Sequence, residues 1–447
     1  MRSIVLLLLM VFAAKAVAQE TINFRTVDSL SYHYYLSSSW DSLIGLGDKA
    51  LEEGIDYYYL QMRLAYAYFM KGQYRKAIPY YKNALEFNHE DPVANEYLYY
   101  SYKYAGRTND AVAQRANLTL EQKNKIGIPD TSNLVSFGIN HSYAFSNASD
   151  MQPSLLDGVT LQQTDGVQKA NHAYHLPAMQ LSHKLGSGVV AHHQVHYLNK
   201  NELSYAVVNG NPYYSPEQVM HQFGYGLILD FRLFEGSILS VGGKYRGLRI
   251  PVYASTDYGM NAGLDRDVLY YLKEQGFNAH LNLKHEFTHA TLGISYAVNM
   301  LNGIFAQQAG IHSVIYPFSN LNLYYNLDLY FQQLNDTYSN ENHILSHHHI
   351  GFKLLKNLWM EASTTFPSFT HFFDVTNNLL YNNLEKTRQH AGLSFIMPVY
   401  GKNIRFIGSF GYSWNESYFY PEEQRLQLSN KQSYEQITIT GGILWKR

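Results

Sequence analysis

The sequence predicts an α + β multidomain chain: N-terminal α-helical repeats, then a closed antiparallel transmembrane β-barrel of about 14 strands. Three observations carry that expectation. Small, aromatic and glycine residues recur every 34 positions over residues 24–125. Beyond Pro129 the periodicity changes to strict two-residue alternation of apolar and polar side chains. The connections between the alternating segments are short and long by turns.

Taken in order, Arg2 precedes an apolar run from Ile4 to Ala14, and Ala16-Val17-Ala18 forms a small-x-small site. This is the pattern of a secretory signal peptide over 1–18, with Gln19 as the first mature residue. A run of about eleven apolar residues is too short for the roughly 20 needed to span a bilayer.

Composition narrows the class. The 447 residues contain no cysteine, which excludes disulfides and thiolate metal sites. A formal net charge of −2 argues against nucleic-acid binding. No segment after the signal is apolar enough for a membrane helix, yet 40 tyrosines bring the aromatic fraction to 15%. The aromatic girdles of an outer-membrane barrel would use such residues.

Within 24–125 the clearest unit starts at Tyr58. It places Leu64, Ala65 and Tyr68 on a first helix, Gly72 and Tyr74 at the turn, and Ala77, Tyr81, Ala84 and Leu85 on a second. Thirty-four residues later come Leu98, Tyr99, Tyr102, Gly106, Ala111 and Leu118; thirty-four earlier come Leu30, Ser31, Tyr34, Trp40, Ala50 and Leu51. This pattern resembles the tetratricopeptide repeat, with degraded outer units. The resemblance implies a concave face that binds extended segments, lined by Tyr32, Tyr35, Tyr59, Tyr66, Phe69, Tyr100 and Tyr104. These rings serve equally as packing between helices, or as sugar-stacking faces. Lys71 and Arg75 are expected to be exposed beside them.

In residues 130–447, Leu321, Leu323, Tyr325, Leu327, Leu329 and Phe331 alternate with Asn320, Asn322, Asn326 and Asp328. Residues 277–287 and 290–300 repeat the pattern, which marks β-strands with one apolar and one polar face. Several strands hold it for roughly 11 to 14 residues, against a mode of five or six in soluble sheets. The expected strands are 134–146, 174–185, 188–199, 219–234, 237–248, 276–287, 290–301, 304–316, 320–332, 345–355, 357–366, 387–399, 403–415 and 433–446, with 366–386 ambiguous. Short turns fall near Gly186-Ser187-Gly188, Glu235-Gly236, Thr288-His289, Ser319-Asn320, Lys356-Asn357 and Gly401-Lys402. Long polar segments fall near 146–172, 200–217, 249–275, 333–344, 367–386 and 416–431, with a tight Asn302-Gly303 hairpin breaking the series. The stretch Ile437-x-Ile439-x-Gly441-x-Ile443-x-Trp445 resembles the closing strand of outer-membrane proteins, although Lys446 and Arg447 follow the aromatic.

No active-site motif emerges, and no catalytic, cofactor or metal residue is assigned. His347-His348-His349 would put His347 and His349 on one face, a pattern more in keeping with interfacial histidines than with a metal. His192, Gln194 and His196 are expected to face the lumen. So are Asp230, Arg232, Lys244, Arg246, His280, Lys284, Glu286 and Asp328, which read as a mutually neutralising polar interior rather than an anion-attracting strip.

Periplasmic repeats joined to a barrel resemble polysaccharide exporters of the outer membrane and surface-lipoprotein assembly barrels. The resemblance implies an outer-membrane transport or export barrel, with its N-terminal domain in the periplasm docking a partner or cargo. The alternatives are an outer-membrane lipid- or glycan-modifying enzyme, or a plugged structural or assembly barrel. Expected partners are outer-membrane lipid and a periplasmic protein or glycan, with no nucleic acid.

Overall fold

The computed structural model describes residues 22–127, 133–151, 166–186, 188–208, 211–253, 268–301, 304–335, 340–374, 379–399, 403–421 and 431–446. The signal segment, the Asn302-Gly303 hairpin and the Gly401-Lys402 turn lie outside the described residues. Contacts divide the chain into two compact units: residues up to Ala105 with Asn117–Thr119, and Gly106–Ala116 with Leu120 onward.

Among the described residues seven α-helices come first: α1 (Phe24–Leu36), α2 (Trp40–Glu52), α3 (Tyr58–Met70), α4 (Tyr74–Phe87), α5 (Pro92–Tyr104), α6 (Thr108–Gln114) and α7 (Leu120–Lys125). First helices begin at residues 24, 58 and 92, and second helices at 40, 74 and 108, so each helical hairpin recurs at 34 residues. The inter-helix turns obey the same spacing. Backbone at Ser38, Gly72 and Gly106 is left-handed, with φ of 54°, 70° and 80°. A residue in that conformation just past a helix C-terminus satisfies orphaned carbonyls and stops the helix, and glycine does so at least cost. Asn23 and Asp91 cap α1 and α5, accepting from Thr26 N at 3.0 Å and Ala94 N at 2.6 Å. Val27, Ala50, Leu60 and Leu64 form the core of this unit.

The described residues of the second unit form fifteen strands: β1 (Leu134–Ser146), β2 (Gly166–Lys184), β3 (Val189–Val208), β4 (Asn211–Phe234), β5 (Ser237–Tyr253), β6 (Val268–Glu286), β7 (Ala290–Leu301), β8 (Ile304–Ile315), β9 (Leu323–Asn335), β10 (Asn340–Leu355), β11 (Leu358–Phe366), β12 (Phe369–Asp374), β13 (Leu379–Pro398), β14 (Ile404–Pro421) and β15 (Lys431–Lys446). All except β12 close into a 14-stranded antiparallel barrel, sealed by pairing of β1 with β15. Closure leaves no unpaired strand edge to face lipid.

The two faces separate as the alternation predicts. Phe277, Leu281, Leu283, Leu292, Ile294, Tyr296, Leu329 and Phe331 are exposed on the outer face, while Asn278, His280, Ser295, Asn299, Asn326 and Asp328 are buried on the inner. An apolar exterior over a polar interior is the arrangement of a membrane-spanning barrel, because lipid contacts the outside and water the inside.

Several boundaries differ from the sequence expectation. Most of 200–217, expected as a loop, is ladder: β3 and β4 stay paired as far as Val208 opposite Asn211. Strands β2, β5, β6, β13 and β14 likewise run on into the segments read as long loops. Beyond the apolar band the outward face no longer has to meet lipid, so strict alternation is not required while backbone pairing continues. The turn expected at Ser319-Asn320 is longer, since β8 ends at Ile315 and β9 starts at Leu323.

Candidate functional site

Each of the eight expected lumen residues lies on the inner face. Lys244, Arg246, His280, Glu286 and Asp328 are buried. Asp230 accepts from Ser240 Oγ at 2.7 Å, meets His192 Nε2 at 3.2 Å and accepts from Asn109 Nδ2 at 3.1 Å. Lys284 lies 3.8 Å from Glu286, and Arg246 donates to Gln222 at 3.4 Å. Arg232 donates through Nε to Asp110 on α6 at 2.6 Å. Asp110 also accepts from Arg107 at 2.8 Å and from the Gly236 amide at 3.2 Å. Arg107 reaches Glu235 at 3.1 Å. The charges near the β4–β5 turn are therefore paired, partly by a helix that sequence reading had assigned to the repeats.

His347 and His349 share the inner face, but each has its own partner: His347 meets Thr365 Oγ1 at 2.9 Å, and His349 lies 3.5 Å from Glu361. His348 points outward, to the Tyr325 hydroxyl at 2.7 Å.

A feature unseen in the sequence occupies the lumen. β11 pairs with β10 only as far as Phe366 opposite Ser346. The chain then turns, and β12 runs along β13 alone. Its Phe369 and Phe373 join Ala297, Tyr330 and Leu345 of the inner wall in a buried apolar cluster. The Phe373 ring lies 5.0 Å from His280. Gln308 of β8, itself buried, fastens this strap with its carboxamide. Nε2 donates to Phe373 O at 2.6 Å, and Oε1 accepts from Phe373 N at 3.4 Å. The strap thus crosses the interior from the β11 side to β6–β8. Residues 366–386 were ambiguous in sequence because a strand lying inside the barrel has no lipid-facing side to impose alternation.

Below the strap, three adjacent strands align a serine, a histidine and an aspartate. His312 of β8 holds Asp328 Oδ1 through Nδ1 at 2.8 Å, and meets Ser295 Oγ through Nε2 at 2.7 Å. Asn326 Nδ2 donates to the other Asp328 oxygen at 2.9 Å. The contact passes over Gly310, where a Cβ would fall 2.6 Å from Ser295 Oγ and 3.1 Å from His312 Nε2. Only a residue without a side chain permits that approach. Sequence inspection found no such constellation, because the members lie 17 and 16 residues apart and share no motif. The signal was positional. Asp328 pairs directly with His312, and Ser295 with Gly310, so hairpin registers bring the three together.

In the helical unit, the seven expected groove residues form a partly exposed aromatic surface. Tyr32, Tyr59 and Tyr104 are exposed, and Arg63 lies over the rings of Tyr32 and Tyr59 at 5.2 and 5.7 Å. Tyr66 is half-buried among Tyr35, Trp40 and Tyr97, with centroids 5.5 to 5.7 Å away. Phe69 contacts Tyr74, Tyr97 and Tyr104, and Tyr100 stacks on Tyr104. Lys71 is exposed as expected and pairs with Asp41. Arg75 is not: it is 3% exposed and donates to the Ala105 carbonyl. At the start of a second helix its long stem turns inward to reach the end of the next first helix.

No family model and no curated protein matches the sequence. Among solved structures, the chain is similar to the Pseudomonas putida toluene transporter TodX (7% identity, 72% of this chain and 91% of that one, TM-score 0.40). It is also similar to a Pseudomonas aeruginosa FadL homologue (9%, 77% and 94%, 0.38). A third is the Ralstonia pickettii toluene transporter TbuX (9%, 71% and 90%, 0.40). The overlap is loose, and nothing about the cargo of these proteins passes to this chain.

Proposed function

We propose that the chain is a gated transport barrel of the outer membrane. Its helical domain, which we place among tetratricopeptide-type repeats and in the periplasm, docks a partner or cargo. The observation that carries this reading is the strap. Among the described residues, a short segment obstructs the inside of a closed, polar-lined barrel; it hangs from β13 and is fastened to the opposite wall by an apolar cluster and Gln308. A barrel serving only as scaffold has no need of so local a closure, whereas a conduit requires one that can be released. The 34-residue recurrence of helical hairpins and the partly exposed aromatic surface support a docking role for the first unit.

The test is single-channel recording of purified protein in planar bilayers. Wild type is expected to be mostly closed with brief openings. Gln308→Ala removes two buried hydrogen bonds and leaves the Phe373 backbone unpaired, a cost of about 1–3 kcal/mol to the closed state. Its open probability is expected to rise about tenfold or more, since each 1.4 kcal/mol is a factor of ten. Absence of conductance in both proteins would discard the transport reading in favour of a plugged structural barrel.

A further inference from the structure

The geometry points to a second activity in the lumen: Ser295, His312 and Asp328 form an acyl-transfer triad that hydrolyses carboxylic esters carrying an apolar acyl chain. Side-chain wiring is the first argument. A serine hydrolase needs the carboxylate on Nδ1 of the histidine, so that Nε2 stands free to take the serine proton. Here Asp328 holds Nδ1 and Ser295 meets Nε2. A second cluster nearby serves as an internal comparison. Ser182, His192 and Asp230 also touch in sequence, but with serine on Nδ1 and aspartate on Nε2. That reversed wiring suits a structural bridge, and Asp230 is further engaged by Ser240 and Asn109.

Surroundings supply the second argument. Asp328 is fully buried and its other oxygen is held by Asn326, which restrains the carboxylate beside His312. The Tyr330 ring meets the imidazole edge-on at 5.4 Å and fixes its orientation. Asn282, the cross-strand partner of Ser295 on β6, presents its carboxamide on the same face. Its Oδ1 is buried without a hydrogen-bond partner. Turned about its Cβ–Cγ bond, this carboxamide would aim its N–H at an oxyanion developing on a substrate bound at Ser295. Two residues farther along β7 and β9, Ala297 and Tyr330 join Leu345 of β10 in the apolar wall on which the strap rests. Release of the strap uncovers that wall beside the serine, and an acyl chain is the ligand it matches.

The chemistry balances without a cofactor. Ser295 Oγ bonds to the ester carbonyl as its proton passes to His312 Nε2. The tetrahedral adduct collapses, the C–O bond of the ester breaks, and the departing alkoxide takes that proton. Lumen water, deprotonated by His312, then attacks the acyl group, releasing the carboxylic acid and restoring the Ser295 hydroxyl.

An alkyl fluorophosphonate, which phosphonylates activated serines, tests this on the full-length protein in detergent. One label per chain is expected, located at Ser295 by peptide mass spectrometry. His312→Ala and Asp328→Asn should slow labelling about 10²-fold or more, the usual contribution of a general base. Gln308→Ala should speed it by releasing the strap, and Ser182→Ala should leave it unchanged. Hydrolysis of p-nitrophenyl octanoate should follow the same order. Heat-dependent gel mobility reports which variants remain folded; if one does not, the labelled peptide of wild type decides. No labelling of folded wild type and Gln308→Ala, or labelling indifferent to His312→Ala, would overturn the proposal and leave the cluster a structural bridge.

Discussion

Asp110 concentrates the electrostatics at the short-turn end of the barrel. It is 2% exposed and accepts from two guanidinium groups, those of Arg107 and Arg232. Removing one member of a buried ionic network leaves uncompensated charge, which costs more than the intact network contributes. Asp110→Ala is therefore expected to destabilise the barrel by about 3–5 kcal/mol, read as a lowered urea midpoint in detergent. Lys71→Ala, at an exposed pair of the helical unit, should change that unit's stability by less than about 1 kcal/mol. Gly310 illustrates the opposite economy, where an absent side chain creates the space in which Ser295 and His312 meet.

Among the helical hairpins, the aromatic side chains divide by their neighbours. Tyr66 has three ring partners and Tyr59 is 62% exposed. Each aromatic pair adds about 0.5–1.5 kcal/mol beyond its buried area. Tyr66→Ala should thus lower the melting temperature followed by far-UV circular dichroism, while Tyr59→Ala should leave it nearly unchanged and affect only partner binding. Burial also pushes phenol groups of this unit upward, including those of Tyr74, Tyr80, Tyr97 and Tyr104; Tyr100 rises from the ordinary 10.0 to about 12. A raised phenol favours the folded state while neutral. That contribution is full below pH 10 and is lost as the pH climbs through about 12. Helicity should accordingly hold at pH 9 and collapse between pH 10 and 12; a helical signal surviving at pH 12 would contradict this assignment of the rings.

For the molecule as a whole, the decisive property is which barrel face meets lipid. Ile139 and Asn140 are consecutive in β1, and Ile139 is 50% exposed on the outer face. Asn140 lies on the inner face, opposite Gly442. Ile139→Arg should destabilise the barrel by about 2–4 kcal/mol if the site lies near the bilayer midplane, whereas Asn140→Arg should cost far less. Urea titration in lipid vesicles, with folded and unfolded forms separated by unheated gel mobility, measures both. Equal tolerance would contradict an apolar, lipid-facing exterior, and a greater cost for Asn140→Arg would mean that the faces are reversed.

Much of the local structure is legible in the sequence. Helix starts at 58 and 92 and left-handed turns at Gly72 and Gly106 follow from the 34-residue spacing. The inward set from Asp230 to Asp328 follows from two-residue alternation, because a strand's faces are decided by neighbours i and i+2. Sequence did not disclose the strap, the seating of α6 among barrel turns, or the inward course of Arg75. Each depends on groups far apart in the chain, such as Phe373 with Gln308, Asp110 with Arg232, and Arg75 with Ala105. The Ser295–His312–Asp328 cluster belongs between these cases. Alternation placed Asp328 inward, but its meeting with His312 and Ser295 depends on the registers of two hairpins and on the missing side chain at Gly310. Periodicity reports the face a residue shares with its own strand. Which side chains touch across that face is decided by closure of the barrel, which sets the registers and limits the space inside.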